Sequence, residues 1–198
     1  MTTVDRELNL VIPIDRGEAK LYCYSTPIRR ETFEFYYLVI SKAFSKLYAE
    51  RLHVFAGPKV MPMVLKDVAT STARDGDRNW WEGPDGVELG LVGEFRRRTT
   101  VLAPKVDGTW DQQPLEAAKN QGLISADEAA EVEAAVAFFM VNSAMHKRSV
   151  LMPILTSAAG MWGWEVTSSP FSAWRDGLPT LTPAAATSRR ATPSTIPT

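Results

Sequence analysis

Apolar positions are most regular between Ser125 and Arg148, in SADEAAEVEAAVAFFMVNSAMHKR. Val132, Ala135, Val136, Phe139 and Ser143 follow one face at spacings of three and four. Ala134, Phe138, Val141 and Met145 follow a second face. A helix apolar on two faces belongs at the centre of its domain. Ser125 and Glu128 form a capping box at its start, each side chain meeting an orphan backbone N–H. Asp127, Glu128, Glu131 and Glu133 near the start, and His146, Lys147 and Arg148 at the end, suit the helix macrodipole. The pattern predicts the core helix of the protein.

Strand-like alternation is confined to a few stretches. Glu7 to Ile14 and Glu18 to Ser25 read as two strands joined by Asp15-Arg16-Gly17, which predicts an N-terminal β-hairpin. In the second strand Leu21 and Cys23 alternate with Tyr22 and Tyr24, so Cys23 reads as a small packed residue. A reactive thiol there would need a cationic neighbour. Around Thr99–Ala103 and Gly108–Gln112 two further extended pieces flank Asp107-Gly108 and predict a second small hairpin.

Helical spacing dominates the rest. Thr26-Pro27 opens a run to about Leu52, with an aromatic stripe of Phe33, Tyr36, Tyr37, Ile40, Phe44, Leu47 and Tyr48 expected in the core. Lys59 to Thr72 predicts another helix, with Pro62 in its first turn. The polar stretch STARDGDRNWWEGPDG reads mostly as loop, with Trp80-Trp81 folding back onto the core. Val87 to Arg98 forms a third helix whose Arg96-Arg97-Arg98 end reads as a solvated terminus favoured by the dipole, in preference to a phosphate contact. Pro114 fits the first position of a short helix ending near Gly122.

After the core helix, Ser149 to Gly160 predicts another buried helix with Pro153 in its first turn. Its closeness to the core helix leaves open one kinked element. Ser168-Ser169-Pro170 starts one or two turns over Phe171 to Asp176. The reading is an α+β chain, mostly α: residues 1–178 form one domain of about five or six helices with an N-terminal hairpin. Residues 179–198, rich in Pro, Thr, Ala and Ser, are expected to be disordered.

Composition narrows the function classes. The chain has 198 residues, 45% apolar and 23% charged, with a net charge of −1. No general attraction to nucleic acid or an anionic membrane surface is expected. One cysteine rules out an intrachain disulfide and a Cys/His zinc site, and suits a reducing cytosol. The N-terminus does not read as a signal peptide, and no run approaches the ~18 apolar residues of a membrane span. There is no GxxxxGKS/T loop, GxGxxG, GxSxG or HExxH motif. No catalytic residue, cofactor or metal site is assigned, and the expectation is a protein that is not an enzyme.

Three stretches resemble the tail assembly chaperones of long-tailed bacteriophages. They are ELNLVIPIDRGEAKLYCYSTPIRRETFEFYYLVISKAF, GTWDQQPLEAAKNQGLISADEAAEVEAAVAFFMVNSAMHKR and SSPFSAWRDGLPT, together about half of the chain. The resemblance implies a small, helical, non-catalytic protein of the host cytoplasm. It would bind the tape measure protein, the tail tube protein or both, and leave before the tail is complete; self-association is left open. No family binding residue carries over. From the residues themselves, Trp162, Trp164, Phe171 and Trp174 are the candidate partner-binding site, because aromatic side chains crowd one short stretch there. The opposing reading is that these rings close the core. Two other functions compete. One is a structural virion component, such as a minor tail or connector protein. The other is a small hydrolase or transferase, which a deep polar pocket with converging ionisable groups would favour.

Overall fold

The computed structural model of the chain describes residues 8–17, 19–74, 79–105 and 107–179. The segment from 180 to the end, expected to be disordered, lies outside them. Five antiparallel strands form one sheet in the order β4-β3-β2-β1-β5. Strands β1 (Asn9–Arg16) and β2 (Ala19–Ser25) are the predicted N-terminal hairpin, with Arg16 opposite Ala19 and Gly17 in the left-handed region at φ 66°. Strands β3 (Thr99–Pro104) and β4 (Trp110–Pro114) are the second hairpin, turning at Gly108, φ 83°. The two hairpins are not separate units. Ser25 to Tyr22 pair with Thr99 to Leu102, which fuses them. A short strand β5 (Glu165–Thr167), absent from the sequence reading, closes the other edge against Asn9 to Val11. Three residues are too few to show a period of two.

Strand alternation decides which side chains meet the helices. Leu10, Ile12 and Ile14 of β1, Leu21 and Cys23 of β2, and Val101 and Ala103 of β3 join the main core. Val11, Tyr24 and Leu102 point the other way and form a second, smaller cluster.

The helical stretches resolve into more pieces than expected. The run after Pro27 splits into α1 (Arg30–Phe35), α2 (Tyr37–Ala49) and α3 (Leu52–Phe55). Arg51, at φ 55°, takes the left-handed conformation that ends α2 and turns the chain. A 3₁₀ turn over Gly57–Val60 leads into α4 (Met61–Arg74). Trp81, after the polar stretch, packs on the core as expected, while the Trp80 side chain lies outside the described residues. The third predicted helix is a composite: α5 (Pro84–Gly86), a π-helical stretch over Val87–Val92 and α6 (Gly93–Arg97). Gly90 allows the close approach of Tyr36 there; a Cβ on it would lie 1.7 Å from the Tyr36 hydroxyl oxygen, which donates to the Gly86 carbonyl at 3.2 Å. After β4, Pro114 caps α7 (Leu115–Asn120) instead of occupying its first turn.

The core helix α8 spans Ala126–Met145 with both bonds of its capping box formed. Its residues Phe139, Met140 and Val141 have no exposed surface. It ends sooner than expected, because His146 is extended at φ −114°, ψ 144°. Consequently α8 and α9 (Arg148–Trp162) are two helices and not one kinked element. Lys147 and Arg148 therefore sit at the positive end of α9, outside the last turn of α8. Pro153 falls in the second turn of α9, not the first. Gly163, at φ 70°, closes α9 in the left-handed conformation, and Trp164 N–H donates back to the Ala159 carbonyl at 3.1 Å. The chain then forms β5 and a last helix, α10 (Phe171–Asp176).

Candidate partner-binding surface

The four candidate aromatic residues divide into two pairs on opposite faces of the sheet. Trp162, the last residue of α9, lies against Gly57: a Cβ there would be 2.9 Å from the indole Cζ2. Its ring stacks with Trp164, with centroids 6.5 Å apart and planes 27° apart. Trp164 is half-buried against the main core and faces Phe138 at 6.5 Å. Lys59 Nζ stands 5.9 Å from the Trp162 centroid, a cation–π distance, and 3.9 Å from Glu131. Trp162 remains 38% exposed and its neighbour Met161 64% exposed. The glycine termination of α9 explains this: the chain reverses at Gly163, so Trp164 returns inward while Trp162 and Met161 stay at the rim.

Phe171 and Trp174 lie on the other face. One turn of α10 separates them, so both reach the same surface. Phe171 meets Tyr24 edge-on at 5.1 Å, and Trp174 meets Tyr22 at 5.6 Å and Tyr24 at 5.3 Å. Trp110 and Leu178 complete this cluster over Val11, Tyr24 and Leu102. The Ser169 carbonyl anchors the approach to α10, accepting from Tyr24 Oη at 2.6 Å and Asn9 Nδ2 at 3.2 Å. This pair has the packing that the core-closing reading describes, and the surface left for a partner is at Met161 and Trp162.

Two clefts were not legible in the sequence. The first, about 330 Å³, lies where the α8–α9 junction faces the β2–α1 connection and carries Arg30, His146 and Arg148. The second, about 290 Å³, is floored by the π-helical stretch and carries Lys66, Asp85, Glu88, Arg96 and Glu133. It has the converging ionisable groups that an enzyme would need. Its acids, however, share one cation. Arg96 Nη2 donates to Glu88 at 2.6 Å and to Glu133 at 3.0 Å. Its Nε lies 3.1 Å from Glu116, an ion pair that is not aligned as a hydrogen bond. Burial opposes the charge on Arg96, but Glu133 and Glu88 outweigh it and raise its pKa. The cleft is thus a closed ion-pair cage, with neither carboxylate set apart as acid or base. The arginine run at 96–98 is likewise engaged: Arg97 and Arg98 both pair with Glu94 at 3.1 Å.

The Cys23 thiol is fully buried, and burial pushes its pKa up to about 12. Among the described residues no group of three His, Cys, Asp or Glu side chains could hold a metal ion, and no helix is long and apolar enough to cross a membrane. No family model, curated protein or solved structure matches this chain.

Proposed function

We propose that the protein is a non-catalytic binding protein of phage tail assembly, a chaperone that holds a helical segment of the tape measure or tail tube protein in the host cytoplasm. One observation carries the binding reading: Trp162 is held rigidly on Gly57 and Trp164 yet stays open to solvent beside Met161. A fixed tryptophan with an exposed edge loses little entropy on binding, and tryptophan is enriched at binding hot spots. Methionine beside it adapts to irregular apolar partners. The tail-assembly reading rests on the three stretches that resemble those chaperones. Moderate affinity at one such site, repeated over many copies along a long partner, gives avidity and still permits release.

The test is co-purification of the tape measure protein and the tail tube protein from infected cells with wild type and with Trp162→Ala. Recovery of one of them by the wild type and its loss in the variant, at an unchanged melting temperature, is the expected result. Undiminished recovery in the variant removes Trp162 from the site. No recovery of either protein by the wild type ends the chaperone reading, and a stoichiometric amount of the chain in purified virions replaces it with a structural component.

A further inference from the structure

We propose that the cleft at the α8–α9 junction binds a small carboxylate carried on an apolar body. Two arginines and a histidine, Arg30, His146 and Arg148, line it, and no carboxylate does so among the described residues. Ile28, Phe33 and Leu151 supply an apolar wall. About 330 Å³ is at the small end of the range for ligand pockets.

The polar end is built for negative charge. His146 Nε2 is buried and has no hydrogen-bond partner, a state that costs stability unless a ligand satisfies it. Its ring is held by edge contact with Phe44 at 4.9 Å and Tyr48 at 6.1 Å, so the nitrogen does not swing freely to find water. Alongside, α9 begins with no side-chain cap at Lys147 and no acid in its first turn. Cations stand there instead, at the end of a helix whose dipole favours anions. Arg30 pairs with Glu34 at 2.6 Å in a fully exposed position, an attachment weak enough to yield to a ligand. A carboxylate in the cleft would meet the imidazole, the guanidinium groups and the first turn of α9 together. An apolar tail would cover Phe33 and Leu151. This inference stands apart from the partner surface at Trp162.

The experiment is an NMR titration of the full chain, following backbone amides and the imidazole of His146. Hexanoate is the probe, with hexanol and inorganic phosphate as controls. Hexanoate is expected to shift Arg148, Ser149 and His146 saturably. The double variant R30Q/R148Q, with two charge-assisted contacts removed, is expected to lose about tenfold or more in affinity. Hexanol should give no saturable shift, and phosphate a weaker one. A leucine-terminated tripeptide with a free carboxylate, compared with its amide, then distinguishes a chain terminus from a free acid as the source. Absence of saturable shifts with hexanoate overturns the proposal, as does undiminished affinity in the double variant. Phosphate binding as tightly as hexanoate, or hexanol matching it, overturns it without recourse to any variant.

Discussion

Arg16, at the end of β1, grips both carboxylate oxygens of Glu128, the third residue of α8, with Nε 2.8 Å from Oε1. The same carboxylate accepts from the Ser125 backbone N–H at 2.7 Å. One side chain therefore completes the capping box and fastens the N-terminal hairpin to the core helix, over a sequence separation of 112 residues.

This pair makes stability depend on pH in a defined window. The bond from Arg16, with help from Ser125 and against some burial, lowers the Glu128 pKa from 4.5 to about 2. A lowered carboxylate pKa contributes stability that is full above the unfolded value and is lost as pH falls through the folded one. Glu128→Gln should cost about 1 kcal/mol at neutral pH, the usual worth of a cap and a partly exposed ion pair. Urea titrations of both proteins should show that difference shrink between pH 4.5 and about 2. A difference that does not change with pH would mean that the carboxylate charge is not what matters.

Phe139 has no exposed surface and sits at the middle of α8. Phe139→Ala should cost about 3–5 kcal/mol by loss of burial and creation of a cavity. That is enough to unfold much of a domain of ordinary stability. Phe139→Leu, which keeps most of the volume, should cost far less. Chemical denaturation of the two variants gives the comparison, and equal costs would argue against a packed site.

The core of this fold was legible because it is periodic. Val132, Ala135, Val136 and Phe139 on α8, and Leu21 and Cys23 on β2, repeat at 3.6 and 2 residues and are all buried. What stayed hidden depends on pairings across the chain. Nothing local in Glu165–Thr167 marks a strand; it becomes one because Asn9 to Val11 offer an open edge. Nothing in Phe171 and Trp174 tells which face of the sheet they cover, since that follows from Tyr22 and Tyr24 lying opposite. The Arg96 cage gathers acids at positions 88, 116 and 133, and the α8–α9 cleft gathers cations at 30, 146 and 148. His146 was legible as a cation near a helix end, but its extended backbone, which opens that cleft, was not.

Cys23 should be inert in the folded state. Its thiol is enclosed and its pKa is raised to about 12 by burial, so almost no thiolate forms at neutral pH. Reaction with a thiol reagent should follow unfolding and become rapid only in denaturant. Fast labelling of the native protein at neutral pH would show that the β2 face opens locally.

Gly57 should be intolerant for two separable reasons. At φ 51° it is in the left-handed region, where an alanine costs about 1 kcal/mol or more. Its added Cβ would also lie 2.9 Å from the Trp162 ring. Gly57→Ala should lower stability and move the Trp162 indole resonance. In a double-mutant cycle with Trp162→Ala, the backbone cost should persist while the steric part disappears. Additive effects would mean that the ring yields at no cost.

The two aromatic pairs should separate by what they do to stability. Trp174 packs on Tyr22 and Tyr24, and Phe171 packs on Tyr24, covering the face of the sheet that the other helices leave open. Both rings are only half-buried, so Trp174→Ala and Phe171→Ala should each cost about 1–3 kcal/mol, below the value for a full core position. Their loss should also loosen the Tyr24–Ser169 bond and expose Leu102, detectable as faster amide exchange along β3. Trp162→Ala gives up an already exposed ring and should cost under about 1 kcal/mol. With these stabilities in hand, binding data can be read without ambiguity: loss of partner in the Trp162 variant reports a contact, whereas loss in the Trp174 variant reports a damaged sheet. If Trp174→Ala leaves both stability and exchange unchanged, α10 does not hold that face of the sheet. Those rings then return as candidates for the partner surface.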